Sequence, residues 1–140
     1  MKRIILIIIV LICLPLIGFG QTDNYTNSNS EGLRRIAAEP YFYKAYNSSD
    51  INFQIDNYST AIRLDPDYTA AYGGRGIVYI KLEEYHSAIS DFTSTIRINP
   101  NFAEAYYNRG IAKYSLASTY GDTTGYPEAI VDFTKAIELN

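Results

Sequence analysis

A seven-residue segment of the sequence recurs after 34 residues, and this period restricts the possible folds more than any other feature. The segment AYGGRGI at residues 71–77 returns as AYYNRGI at residues 105–111, and Asp65-Pro66 returns as Asn99-Pro100. A unit of this length cannot bury an apolar face alone, so neighbouring units must stack and share a core. The period therefore predicts a solenoid built from repeated supersecondary units.

Two further segments give the number of copies. AISDFT at residues 88–93 returns as AIVDFT at residues 129–134, an offset of 41, so seven residues are inserted in the last copy. A closing motif occurs three times, as AIRL at 61–64, TIRI at 95–98 and AIEL at 136–139. The chain is therefore predicted to contain three copies.

The spacing within the central copy predicts two helices. Tyr72 and Gly76 fall on one side of a first helix, and Ala88 and Phe92 lie one turn apart on a second. Gly76 lowers helix propensity by about 1 kcal/mol relative to Ala, but it allows the second helix to approach closely. Pro100 then ends the second helix. The copy is therefore predicted to be an antiparallel helical hairpin.

The central copy resembles the tetratricopeptide repeat (TPR) family. The shared pattern is Tyr72-x-x-Arg75-Gly76-x-x-Tyr79, then Ala88-x-x-x-Phe92-x-x-Thr95, then Pro100. The resemblance implies an all-α, TPR-like α-solenoid of antiparallel helical hairpins. Residues 69–102 and 103–140 are assigned as TPR repeats and residues 35–68 as a degenerate first repeat, because Pro40 falls within its expected first helix and would delay or kink it.

The last copy departs from the pattern in two places. Its seven-residue insertion falls between the helices, near residues 118–126, where Gly121, Asp122 and Gly125 predict a surface loop. The sequence stops at Asn140, so the last copy is expected to be truncated at its end. The apolar face of its final helix would then be uncovered, and docking on a partner or self-association through that face is the alternative.

The first residues have the layout of an export signal. Lys2 and Arg3 precede an apolar run over residues 4–17, and Gly18 and Gly20 place small residues at a cleavage site. Residues 1–20 are therefore predicted to be a signal peptide and residues 21–34 a polar linker. A retained membrane anchor is the alternative, although the run is shorter than the roughly 20 residues of a span. The expected location is periplasmic, secreted or outer-envelope associated.

Composition argues against several classes of function. The formal net charge is −3 and no basic cluster occurs, which argues against a nucleic-acid partner. Cys13 lies inside the apolar run, and His86 is the single histidine. A thiolate site or a shared metal site is therefore not expected. No phosphate loop or catalytic triad pattern occurs either, so the chain is predicted to be no enzyme and to need no cofactor.

The resemblance also implies a binding surface. In this family the first helices of successive hairpins line a concave groove that binds an extended peptide or a helix. Carried over to this sequence, the predicted partner-binding residues are Ile77, Ile80, Lys81, Glu104, Tyr107, Asn108, Ile111 and Tyr114. Ala70, Gly73, Gly74 and Ser115 complete the expected lining.

Two arginines occupy a position where the family commonly has leucine. Arg75 and Arg109 could supply cations to the groove, or each could pair with an acid on the second helix of its hairpin, Asp91 or Asp132. Arginine and aspartate recur together in both copies, which favours the ion pairs.

The function predicted from these features is an exported protein–protein interaction scaffold with a protein or peptide partner. The alternatives are an accessory repeat fragment of a longer envelope protein and a membrane-anchored assembly factor.

Overall fold

The computed structural model describes residues 22–121 and 123–140, with side chains from residue 30 onward. The predicted signal peptide lies outside these residues. The described part is all helical, without strands, which confirms the predicted fold class. Its helices are α1 (Thr22–Tyr46), α2 (Ile51–Leu64), α3 (Thr69–Lys81), α4 (Tyr85–Ile98), α5 (Ala103–Tyr120) and α6 (Gly125–Glu138). None of them is long and apolar enough to cross a membrane.

Contacts divide the chain into two compact units, Met1–Arg34 and Arg35–Asn140. The first unit is described only as its helical residues 22–34. In the second unit, consecutive helices pack on one another from α2 to α6, and the first helices α3 and α5 also touch. This arrangement stacks the hairpins side by side and places their first helices along one surface.

Glycines set the distance between the two helices of a hairpin. A Cβ added to Gly76 would lie 2.9 Å from Cζ of Phe92, and one added to Gly110 would lie 2.7 Å from Cε1 of Phe133. Ala88 and Phe92 are both buried. The predicted close approach at Gly76 is therefore confirmed, and it recurs one repeat later.

The first hairpin differs from its prediction. Helix α1 begins at Thr22 and passes through Pro40, so the predicted polar linker is helical from Thr22 onward and the proline does not delay the helix. Residues 22–31 contain neither proline nor glycine, so no residue there interrupts helical hydrogen bonding. Proline removes only one such bond, and burial of Ala38 and Ala45 stabilises the helix on both sides of it.

The insertion in the last copy is mostly helix, so the prediction of a surface loop over residues 118–126 is wrong. Helix α5 has 18 residues where α3 has 13, and the connection to α6 is confined to residues 121–124. Gly121 ends α5 in a left-handed conformation with φ of 68°. Residues 115–120 contain no helix breaker, so the helix continues until this glycine.

Candidate functional site

A groove runs across the first helices of the three hairpins. It encloses a cavity of about 320 Å³. Helix α1 contributes Phe42 and Tyr46, α3 contributes Gly73, Gly74, Ile77 and Lys81, and α5 contributes Glu104 and Asn108. Side chains of the second helices, including Tyr58 and Phe92, also line it. The cavity is therefore formed by all three hairpins together.

Two adjacent glycines give the groove its shape. A Cβ on Gly74 would lie 2.6 Å from Cζ of Tyr58, so this glycine allows α3 to pack on the tyrosine ring. A Cβ on Gly73 would have no neighbour within 4 Å. Gly74 therefore allows α3 to pack closely on α2, whereas Gly73 leaves space open in the groove.

The lining combines apolar surface with few polar groups. Ile77 and Tyr46 are 38% and 67% exposed, so both present apolar surface to a ligand. Lys81 and Glu104 are the charged residues of the lining, one of each sign, and Asn108 and Gln54 supply amides. Apolar walls with a few polar anchors are typical of ligand sites.

Four of the eight predicted partner-binding residues share this cavity, namely Ile77, Lys81, Glu104 and Asn108. Gly73 and Gly74, from the wider predicted lining, join them. These residues come from α3 and α5, which lie side by side.

The other predicted residues lie elsewhere. Ile80 packs against the core around Ala88 and Phe92. The ring of Tyr107 lies 5.8 Å from that of Phe133, and the ring of Tyr114 lies 5.3 Å from that of Tyr126. Ile111, Ala70 and Ser115 are also outside the lining. Ile80, Tyr107 and Tyr114 thus contact side chains of α4 or α6, because the first helices pack on those helices as well as on one another.

Phe42 and Tyr46 are groove residues that the sequence analysis missed. They lie one turn apart on α1, and the Phe42 ring packs 5.7 Å from that of Tyr58 and 6.0 Å from that of Tyr46. Their helical spacing was a usable signal. Pro40 masks this signal in the sequence, because a proline ordinarily interrupts a helix two residues before Phe42.

The two repeated arginines form ion pairs within their hairpins. Arg75 donates from Nε and Nη2 to the two carboxylate oxygens of Asp91, at 2.8 and 2.7 Å. Arg109 does the same with Asp132, at 2.9 and 2.6 Å. Both predicted pairs are therefore confirmed, and neither arginine lines the groove cavity.

Each of these arginines also reaches the preceding hairpin. Nη1 of Arg75 donates to Oγ of Ser59 on α2 at 2.8 Å, and Nη1 of Arg109 donates to Oγ1 of Thr93 on α4 at 3.2 Å. Ser59 and Thr93 are 34 residues apart, as are the arginines. The guanidinium thus links the second helices of consecutive repeats.

The two buried aspartates differ electrostatically. Burial raises the pKa of the Asp91 carboxyl above its ordinary value of 3.8, although the hydrogen bond from Arg75 opposes the rise. Burial also acts to raise the pKa of Asp132, but hydrogen bonds from Arg109 and Lys113 outweigh it and the pKa is lowered. Lys113 Nζ lies 3.0 Å from Asp132 Oδ2, and α3 has Tyr79 at the equivalent position. Asp132 thus has a second cation beside it that Asp91 lacks.

A third arginine–aspartate pair lies in the first hairpin and was not predicted. Nε of Arg35 donates to Oδ2 of Asp65, and its guanidinium lies 4.0 Å from the centre of the Tyr68 ring. The repeat positions of Arg75 and Asp91 hold Tyr41 and Asn57 in this copy, so the repeat pattern could not reveal the pair.

No set of His, Cys, Asp and Glu side chains in the described residues could hold a metal ion.

The comparisons with known proteins agree with this architecture. Residues 69–102 match the family model of the tetratricopeptide repeat. A search of curated proteins found no match. Among solved structures, the chain is similar to MamA protein at 30% identity and a TM-score of 0.64, over 73% of this chain and 54% of that one. The chain thus spans about half the length of that structure.

Two other solved structures are similar over most of their length. The Arabidopsis OM64 TPR domain has 26% identity and a TM-score of 0.67, over 76% of this chain and 85% of that domain. The second TPR of Spaghetti (RPAP3), bound to the HSP90 peptide SRMEEVD, has 20% identity and a TM-score of 0.60, over 84% and 99%. At 20% identity the likeness shows the fold alone.

Proposed function

We propose that this chain, a scaffold of tetratricopeptide-repeat hairpins, binds a peptide segment of a partner protein in the groove between α1, α3 and α5. The observation that carries the proposal is the cavity of about 320 Å³ left open at Gly73 and walled by aromatic and aliphatic side chains. A binding role fits this surface better than catalysis, because the charged residues of its lining are confined to Lys81 and Glu104.

The lining indicates the chemistry of the peptide. Phe42, Tyr46 and Ile77 offer a site for an apolar side chain, whose burial favours binding by about 25 cal/mol per Å². The carboxamide of Asn108 both donates and accepts hydrogen bonds, so it suits the alternating N–H and C=O groups of an extended backbone. We therefore propose an extended segment with one large apolar residue seated over Gly73.

The charge of the groove differs from the positive charge expected of a site that binds acidic peptides. The solved TPR of RPAP3 holds a peptide that ends in EEVD. In the present chain Lys81 is the one cation of the cavity lining, and Glu104 offsets it. Affinity is therefore proposed to come from the apolar residue of the peptide, and it should respond only weakly to salt.

Blocking the groove tests the proposal. Heptapeptides selected from a phage-displayed random library on the chain would be labelled and titrated by fluorescence anisotropy. Gly73→Tyr places a ring in the open space and copies Tyr107, the residue at the same position of the next copy. It should abolish binding without lowering the melting temperature.

Gly73→Ala is the matched control, because it adds only a methyl group at the same site and should retain binding. If the selected peptides bound Gly73→Tyr as tightly as the unaltered chain, the groove would not be the binding site.

We also propose that the chain is exported. The support is the sequence alone: Lys2 and Arg3, the apolar run over residues 4–17, and the small residues before Gln21. Mass spectrometry of the chain expressed in bacteria should find Gln21 at the N-terminus. An intact N-terminus in the membrane fraction would instead support the anchored assembly factor.

A further inference from the structure

The second helix of every hairpin carries the same stripe of side chains. In each stripe an aromatic residue is followed directly by Ser or Thr. One isoleucine lies three positions before the aromatic residue, and another lies three positions after the Ser or Thr. The three stripes are Ile55, Tyr58, Ser59 and Ile62 on α2; Ile89, Phe92, Thr93 and Ile96 on α4; and Ile130, Phe133, Thr134 and Ile137 on α6.

The stripes on α2 and α4 are covered by the first helix of the next hairpin. Helix α3 packs on α2 and α5 packs on α4. In each case an arginine of the covering helix donates to the hydroxyl of the stripe, Arg75 to Ser59 and Arg109 to Thr93. The residue before the first of these arginines is Gly74, which seats the helix on the Tyr58 ring. The molecule thus shows twice what this stripe binds.

The stripe on α6 is exposed in the described residues. Ile130 and Ile137 are 62% and 76% exposed, whereas Ile89 and Ile96 are half-buried. The hydroxyl of Thr134 donates to the carbonyl of Ile130 at 2.8 Å, as that of Thr93 donates to Ile89 at 2.7 Å. Oγ1 of Thr134 is therefore oriented like Oγ1 of Thr93, and it can accept one further hydrogen bond.

A cavity of about 610 Å³ lies beside this stripe, lined by Tyr107, Phe133 and Ile137 among others. Phe133 and Ala136 occupy the repeat positions of Phe92 and Thr95, which line the groove cavity where α5 closes it. The surface at α6 is thus the counterpart of an interface that the chain forms internally.

We propose that the α6 stripe binds an amphipathic α-helix of another protein, one that carries an arginine preceded by a short residue, as Gly74-Arg75 and Asn108-Arg109 do. The arginine donates to Thr134 and the apolar face of the helix covers Ile130 and Ile137. A second folded copy does not supply this helix from α3 or α5, because Nη1 of Arg75 and of Arg109 already donates to Ser59 and Thr93 within its own chain.

The probe for this surface is a labelled synthetic peptide with the sequence of Ala103–Tyr120, titrated into the full chain by fluorescence anisotropy. The peptide should bind in the micromolar range and gain helicity. Ile137→Asp should weaken binding by roughly tenfold to a hundredfold, since it removes the burial of one large aliphatic side chain. Ile36→Asp is the matched control: Ile36 is 67% exposed on α1 and lies outside the stripe, so binding should be unchanged.

A double-mutant cycle tests the arginine. Thr134→Val in the chain and Arg109→Gln in the peptide should each weaken binding roughly threefold to tenfold, and together no more than either alone. Additive losses would show that the arginine does not reach Thr134 and would overturn the predicted partner chemistry.

Three outcomes would overturn the docking surface itself. They are no binding at millimolar peptide, equal losses from Ile36→Asp and Ile137→Asp, and loss of binding in Gly73→Tyr, which would place the peptide in the groove. Light scattering over a range of chain concentrations should show a monomer. A dimer dispersed by Ile137→Asp would identify a second copy as the occupant and contradict the proposal.

Discussion

Arg75 and Asp91 form a two-point ion pair between the first and second helices of the central hairpin, with both carboxylate oxygens accepting hydrogen bonds from one guanidinium. The Asp91 side chain is 5% exposed and that of Arg75 is 19% exposed. The pair therefore stabilises the hairpin core rather than supplying charge to the groove.

Removing this aspartate should destabilise the fold. Asp91→Ala leaves the guanidinium of Arg75 largely buried without its counterion, and it should lower the free energy of unfolding by about 2–3 kcal/mol. Urea denaturation followed by circular dichroism would measure the change. Asp56→Ala, at an exposed position of α2, is the control and should have little effect. Unchanged stability together with lost peptide binding would show instead that Arg75 acts in the groove.

Gly73 and Gly76 of α3 should respond to alanine in opposite directions. Gly76→Ala forces a methyl group against the buried Phe92 ring and should lower the free energy of unfolding by about 1–3 kcal/mol. Gly73→Ala meets no neighbour and should raise it by up to about 1 kcal/mol through helix propensity. Thermal unfolding of both variants provides the test. Equal effects of the two changes would rule out the packing contact as the reason for Gly76.

Acidification should change the stabilising contributions of the two buried aspartates, Asp91 and Asp132, in opposite directions. The lowered pKa of Asp132 means that the unfolded chain binds more protons near pH 3.8. Its stabilising effect is therefore present above that pH and is lost as the pH falls through the lowered pKa. The raised pKa of Asp91 means that the folded chain binds its proton first, so this contribution grows on acidification and falls as the pH rises.

Denaturant unfolding of two variants between about pH 5 and about pH 3 separates these effects. Asp132→Asn should lose less stability on acidification than the unaltered chain, and Asp91→Asn should lose more. The same response in both variants would mean that Lys113 does not distinguish the two sites.

Replacing Pro40 with alanine should stabilise α1. It lies within the helix, is exposed, and has no N–H to donate to the carbonyl of Ile36. Pro40→Ala restores that hydrogen bond and should raise the free energy of unfolding by about 1–3 kcal/mol. Glu39→Ala, at the neighbouring exposed position, controls for the change to alanine. A loss of stability in Pro40→Ala would show that the proline fits the helix path that the packing requires.

Much of the hairpin architecture could be predicted from the sequence, because it depends on residues that recur at fixed intervals. Gly76 opposite Phe92 and Arg75 opposite Asp91 are encoded by spacing along two helices joined by a short connection, and both recur one repeat later. A repeated pair of this kind is informative because one local geometry explains both copies.

Tertiary structure decided which side chains form the groove. Phe42 and Tyr46 line it although their helix contains a proline, whereas Tyr107 and Tyr114 pack on rings of α6. Repeat position alone cannot distinguish these cases, because a first helix contacts both its own second helix and its neighbours. The angles between helices determine which contact each side chain makes, and they depend on the packing of the whole array.

The sequence by itself thus determined the period, the hairpins, the close approach at Gly76, and the pairing of Arg75 and Arg109 with aspartates. Only the tertiary structure decided the passage of α1 through Pro40, the helical course of the insertion up to Gly121 and the open space at Gly73. The physical reason is that local spacing fixes which face of a helix is apolar, whereas helix ends and cavities depend on contacts between residues far apart in the chain.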